Sequence, residues 1–140
     1  MRVFLDTNVW MSATIFSGLC EALVLQCAEH HILLSSALVQ REAHAVLQRK
    51  FPQVTHACAL FDAAWLTAEL IADHLEPPQD NDRRLVSAAA DACADLFVTG
   101  DKRVLGWKTV AWSVPPTPGQ MRIVSPRDAW GILAAAEAGQ

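Results

Sequence analysis

The chain has 140 residues, a hydrophobic fraction of 52%, a charged fraction of 19% and a formal charge of −4. That length supports one sizeable core, so a single domain over residues 1–140 is expected, and the composition excludes a disordered polymer. No basic excess marks a nonspecific polyanion binder, and charged or polar residues break every apolar run short of the ~18 residues that span a bilayer, so no membrane role is expected.

Residues 1–6 run directly into an apolar strand pattern without the basic region, long hydrophobic stretch or cleavage site of a secretory signal, which makes a cytoplasmic protein the expectation. Val3–Leu5 read as a short buried strand ending at Asp6, with Thr7 and Asn8 suited to a turn. After Gly18 the residues Leu19, Ala22, Leu23, Gln26 and Cys27 recur at helical spacing, and Ile32–Leu34 look like a second strand. Cys20, Cys27, Cys58 and Cys93 lie far apart, so free thiols are expected; Cys20, Cys27 and His30 fit a helix face better than a zinc site.

Ser36 is the expected N-cap of a helix from about Ala37 to Lys50, with Glu42 in its middle on the apolar side. A packing helix is predicted from about Val54 to Leu70, a short strand over Ile71–Leu75, and a loop at Pro77-Pro78. Asp80-Asn81-Asp82 supplies acids and capping groups to a helix from about Asp82 to Cys93. Leu96–Val98 form a strand that runs through Thr99-Gly100 into Asp101, with a short basic helix at Lys102–Leu105. Gly106–Gln120, with Trp107, Trp112 and three prolines, is read as irregular or strand-containing. Met121–Val124 is a final strand, and Pro126 sits at the favourable first position of a helix to about Ala138.

Strands alternating with helices predict a three-layer α/β/α sandwich with a mainly parallel central sheet. The functional crevice of such sheets lies outside the carboxyl ends of the strands, where Asp6 and Asp101 fall.

A carboxylate on the apolar face of a helix is expensive to ionise, so Glu42 requires a partner, a proton or a metal. If Asp6, Glu42, Asp82 and Asp101 converge, each unneutralised pair at ~4 Å repels by about 4 kcal/mol at an effective dielectric of ~20. Divalent cations relieve that cost, and oxygen-only ligands select Mg²⁺ or Mn²⁺, one or two ions. A bound ion lowers the pKa of a water and aligns it with phosphorus, which points to phosphodiester hydrolysis.

Four segments carry a family resemblance: Phe-Leu-Asp-Thr-Asn at 4–8, Ser-Ser-Ala-Leu-Val-Gln-Arg-Glu at 35–42, Asp-Asn-Asp-Arg-Arg-Leu-Val-Ser-Ala-Ala at 80–89 and Ala-Asp-Leu-Phe-Val-Thr-Gly-Asp-Lys at 94–102. Together they resemble the PIN-domain nucleases, especially the VapC-like toxin components of bacterial toxin–antitoxin pairs, over residues 1 to about 105. The resemblance implies a Mg²⁺- or Mn²⁺-dependent endoribonuclease with Asp6, Glu42, Asp82 and Asp101 as metal-binding catalytic acids. It also implies support by hydrogen bonding from Asn8 and Thr99, a homodimer, and inhibition by a small antitoxin that fills the active-site groove. The third motif offers Asp80 as well as Asp82; Asp82 is preferred because it stands three residues before Leu85 at the helix start.

Arg83, Arg84, Lys102 and Arg103 are candidate RNA phosphate contacts, and Trp10 and Trp107 the first candidates for base stacking. The competing readings are an RNA-processing nuclease of the same fold without an antitoxin, a noncatalytic RNA- or protein-binding module, and phosphoryl transfer through Asp6. The last is weakened because Asn8 stands where a second aspartate would be expected.

Overall fold

Short apolar runs set the sheet. The computed structural model describes residues 1–74, 80–113 and 118–139, and among these β1 (Arg2–Leu5), β2 (Ile32–Ser35) and β4 (Leu96–Val98) are buried along almost their whole length. Strands covered on both faces need no polar alternation, which is why they read as continuous hydrophobic runs. With β3 (Glu69–Leu70), β5 (Thr109–Ala111) and β6 (Gln120–Val124) they make a six-stranded sheet of order β3-β2-β1-β4-β6-β5, parallel except for β5 against β6. The helices are α1 (Thr7–Ile15), α2 (Leu19–His30), α3 (Ala37–Lys50), α4 (Ala57–Trp65), α5 (Asn81–Asp91), α6 (Lys102–Leu105) and α7 (Pro126–Ala138). The architecture is the expected three-layer α/β/α one, with α1, α3 and α4 packed together and α2 on α7.

The strand order reverses at β1: the chain steps outward through β2 and β3, then returns to β4 on the other side. Asp6 and Thr99 therefore leave adjacent strands at one carboxyl edge, tied by Asp6 N–H to the Val98 carbonyl at 2.9 Å. Such a reversal opens a crevice between the two chain exits.

Several local expectations are corrected. Thr7 and Asn8 are the first residues of α1, with Asp6 as its N-cap accepting from the Thr7 N–H at 2.8 Å. Val9 and Trp10 are buried, while Met11, Ala13 and Ile15 pack partly against the core, so no single apolar stripe announces this helix. Ser36 stands at the N-cap of α3, but its hydroxyl makes no hydrogen bond; the Leu38 N–H is met by the Asp73 carboxylate at 3.2 Å.

The helix predicted over 54–70 is confined to Ala57–Trp65, because Trp65 donates to the Ser35 hydroxyl at 2.8 Å and the chain turns through Thr67 and Ala68 into β3. The strand expected at Ile71–Leu75 is thus shifted to Glu69–Leu70, in register with Leu34 and Ser35; Leu75 and the Pro77-Pro78 loop lie outside the described residues. Helix α5 stops at Asp91, two residues before Cys93 takes a left-handed conformation at φ 58°. Within Gly106–Gln120, β5 pairs with β6 and Trp112 reaches the Ala94 carbonyl at 2.7 Å. Its ring lies over Gly119, where a Cβ would come within 2.2 Å, so only glycine fits there. No single helix among the described residues is long and apolar enough to cross a membrane.

Candidate functional site

Asp6 is 4% exposed at the end of β1. One oxygen accepts from the Thr7 N–H; the other accepts from the Thr99 hydroxyl at 2.7 Å and the Asn8 amide at 3.0 Å. Asn8 in turn accepts from the Gly100 N–H at 3.1 Å, and the Thr99 oxygen accepts from the Asp101 N–H at 3.0 Å. This web locks the exits of β1 and β4 together, so Asn8 and Thr99 stand against Asp6 as the sequence motifs imply. Burial pushes the Asp6 carboxyl up to about 6; its hydrogen bonds oppose the rise, and the charges of Asp82 and Glu42 add to it.

Asp6, Glu42 and Asp82 line one cavity of about 440 Å³. Glu42 is oriented by two donors that the sequence does not reveal, the Thr7 hydroxyl at 3.0 Å and the Asn81 amide at 3.2 Å. Asp82 pairs with Arg103 at 2.5 Å, and the same guanidinium reaches Asp80 at 3.3 Å. Asp80 is the N-cap of α5, accepting from the Arg83 N–H at 2.9 Å, and that bond together with Arg103 holds its carboxyl below the usual range. Of the two acids in the third motif it is Asp82, not Asp80, that faces the cavity.

Asp101 caps α6 through the Arg103 N–H at 2.8 Å and faces a neighbouring cavity that shares Asn8 and Ser12 with the first. Three of the four predicted acids therefore share one cavity, and the fourth is joined to Asp6 through the Thr99 hydroxyl.

Among the described residues no three His, Cys, Asp or Glu side chains stand close enough to hold a metal ion. The reason is visible in the bonding: Asp82 is drawn to Arg103, Glu42 to Thr7 and Asn81, and Asp101 to its own helix start. The donor chemistry nevertheless fits a hard divalent cation, since every acid offers oxygen and the Asp6 carboxyl is raised by the charges a cation would offset. The alternative donor set, Cys20, Cys27 and His30, is not a site either; Cys27 is fully buried and its thiol is pushed up to about 12, first by burial and then by the charge of Glu137.

Of the basic candidates, Arg83, Lys102 and Arg103 are exposed, whereas Arg84 is half-buried with its Nε enclosed and without a partner. Arg83 and Arg103 lie over the Trp107 ring, 4.5 and 5.4 Å from its centroid. Trp10 is corrected from a stacking candidate to a core residue: it is fully buried, edge-on to Phe61 at 5.7 Å. Sequence reasoning also missed the apolar wall of the main cavity, formed by Met11, Phe16, Val46 and Phe51 with Lys50 beside them. The i, i+4, i+8 spacing of Glu42, Val46 and Lys50 on α3 was the available signal.

Comparison of the chain with protein-family models, curated proteins and solved structures finds no match.

Proposed function

We propose that the protein is a metal-dependent endoribonuclease of the PIN-like type, acting in the cytoplasm as the toxin of a type II toxin–antitoxin pair. On this reading it works as a homodimer held inactive by a small antitoxin. The observation that carries the nuclease reading is the buried Asp6 carboxylate, held at the sheet's reversal point by Thr99 and Asn8 and sharing a cavity with Glu42 and Asp82.

Asp6, Glu42 and Asp82, with Asp101 beside them, would hold Mg²⁺ or Mn²⁺. Such a cation supplies positive charge that lowers the pKa of a water and stabilises charge developing on the phosphate. The chain's own residues fix the geometry: Thr99 and Asn8 prevent Asp6 from rotating, while Thr7 and Asn81 hold Glu42. Arg103, with Arg83 beside it over Trp107, stands at the rim to take up a phosphate when it leaves Asp82. In the net reaction water forms the new bond to phosphorus, the bond to the departing ribose oxygen breaks, and that oxygen takes a proton.

The test is cleavage of total cellular RNA with mapped ends. Wild type with Mn²⁺ is expected to cut at defined positions, and both EDTA and Asp6→Asn to abolish the cuts. RNA left intact by wild type with Mn²⁺ would sink the reading. A second reading, a noncatalytic binding module, draws on the Asp82–Arg103 pair, which already satisfies one proposed ligand. Calorimetric titration separates the two: Mn²⁺ binding that Asp6→Asn removes favours the nuclease, and no binding favours the module.

A further inference from the structure

Helices α1 and α3 leave the same edge of the sheet, from the ends of the neighbouring parallel strands β1 and β2, and pack against each other. Each presents one stripe to the main cavity at i, i+4, i+8: Asn8, Ser12 and Phe16 along α1 and its end, and Glu42, Val46 and Lys50 along α3. Each stripe begins polar at the Asp6 end; one closes on an aromatic ring and the other on a cation. Eight residues at ~1.5 Å rise put Lys50 about 12 Å along the axis from Glu42.

The far end is aromatic. Phe16 and Phe51, each the first residue past its helix, meet edge to face with centroids 6.4 Å apart, and Phe16 is 59% exposed. An exposed ring beside an apolar wall is a platform for a flat apolar face, and the Lys50 ammonium is a donor for an acceptor on that ring's edge. The nearby carboxylates disfavour an anion, so the group that fits this end is uncharged, planar and polar at its edge.

We propose that this trough is a subsite for one unpaired nucleobase, which stacks on Phe16 beside Phe51 and turns its polar edge to Lys50, next to the phosphate at the acidic end. The proposal rests on the nucleic-acid substrate of the proposed function and adds its class: single-stranded or looped RNA. A base inside a duplex is stacked on both faces and paired at its edge, so it reaches a recessed ring only by flipping out.

The experiment measures fluorescence anisotropy in EDTA, where nothing is cut, with three probes of equal strand length: a single-stranded oligoribonucleotide, its duplex, and a strand lacking bases. Wild type is expected to bind the single strand more tightly than the other two. Phe16→Ala, at an exposed position, is expected to weaken single-strand binding by about tenfold, with Phe16→Trp retaining it and duplex binding unchanged. Equal binding of the strand without bases, or single-strand affinity within about twofold in Phe16→Ala, overturns the proposal. Base- and Phe16-dependent binding without any Mn²⁺-dependent cleavage would keep the subsite and reject the nuclease; cleavage with Phe16-independent binding would do the reverse.

Discussion

The two halves of the acidic edge are held by different physics. Asp6 is sealed into the end of the sheet by Thr7, Asn8 and Thr99, all uncharged donors, so its position is part of the fold. Asp80 and Asp82 sit at the exposed start of α5 and are held by one guanidinium that is itself half in water. Fixed neutral donors orient a carboxylate without cancelling its charge, whereas an exposed ion pair cancels charge and exchanges readily for another ion or for solvent. The first half is suited to anchoring a cation, the second to admitting one.

Three measurements break or sharpen that contrast. The largest effect belongs to the Asp6 proton. Its folded carboxyl is raised from 3.8 to about 6, so below 3.8 both folded and unfolded chains hold the proton, and between 3.8 and 6 only the folded chain does. Metal-free stability is therefore expected to fall as pH rises across that window, by about 3 kcal/mol at ~1.4 kcal/mol per pH unit. Urea unfolding in EDTA at several pH values checks this, and Asp6→Asn removes that part of the slope. A divalent ion bound at Asp6 adds the opposite trend, with Mn²⁺ raising Tm more at pH 7 than at pH 5.

Next comes Thr99→Val. It keeps a β-branched shape in a fully buried place but removes the donor to Asp6 and the acceptor for the Asp101 N–H. A loss of about 1–3 kcal/mol is expected, read by urea denaturation, with the Asp6 carboxyl rising further because the bond lost is one that lowers it. A variant as stable as wild type would show that the web does not bind β1 to β4.

The smallest effect on stability is expected from Arg103→Gln, which opens the exposed half. Its Tm change should be smaller than that of Thr99→Val, while the Asp80 carboxyl moves up toward its ordinary range in an NMR titration. If Arg103→Gln destabilised the fold as much as Thr99→Val, the two halves would not differ as described.

Features that depend on neighbours along the chain are legible in the sequence alone. The apolar runs ending at Asp6 and before Thr99 mark both strand exits, and Ser125-Pro126 marks the start of α7, whose Ser125 hydroxyl accepts from the Asp128 N–H at 3.2 Å. The parallel α/β order follows from the same alternation of strand and helix. Glu42, Asp82 and Asp101 are legible as candidates because each breaks or caps a local pattern.

Tertiary structure alone decided the partners. Thr7 to Glu42, Asn81 to Glu42, Arg103 to Asp82 and Asp73 to the start of α3 join residues 21 to 39 positions apart, and no periodicity reports such pairs. Helix α1 stayed hidden because its apolar residues spread around it rather than along one stripe. Local patterns are fixed by the period of a single element, whereas hydrogen bonds and ion pairs between elements depend on how the whole sheet brings their ends together.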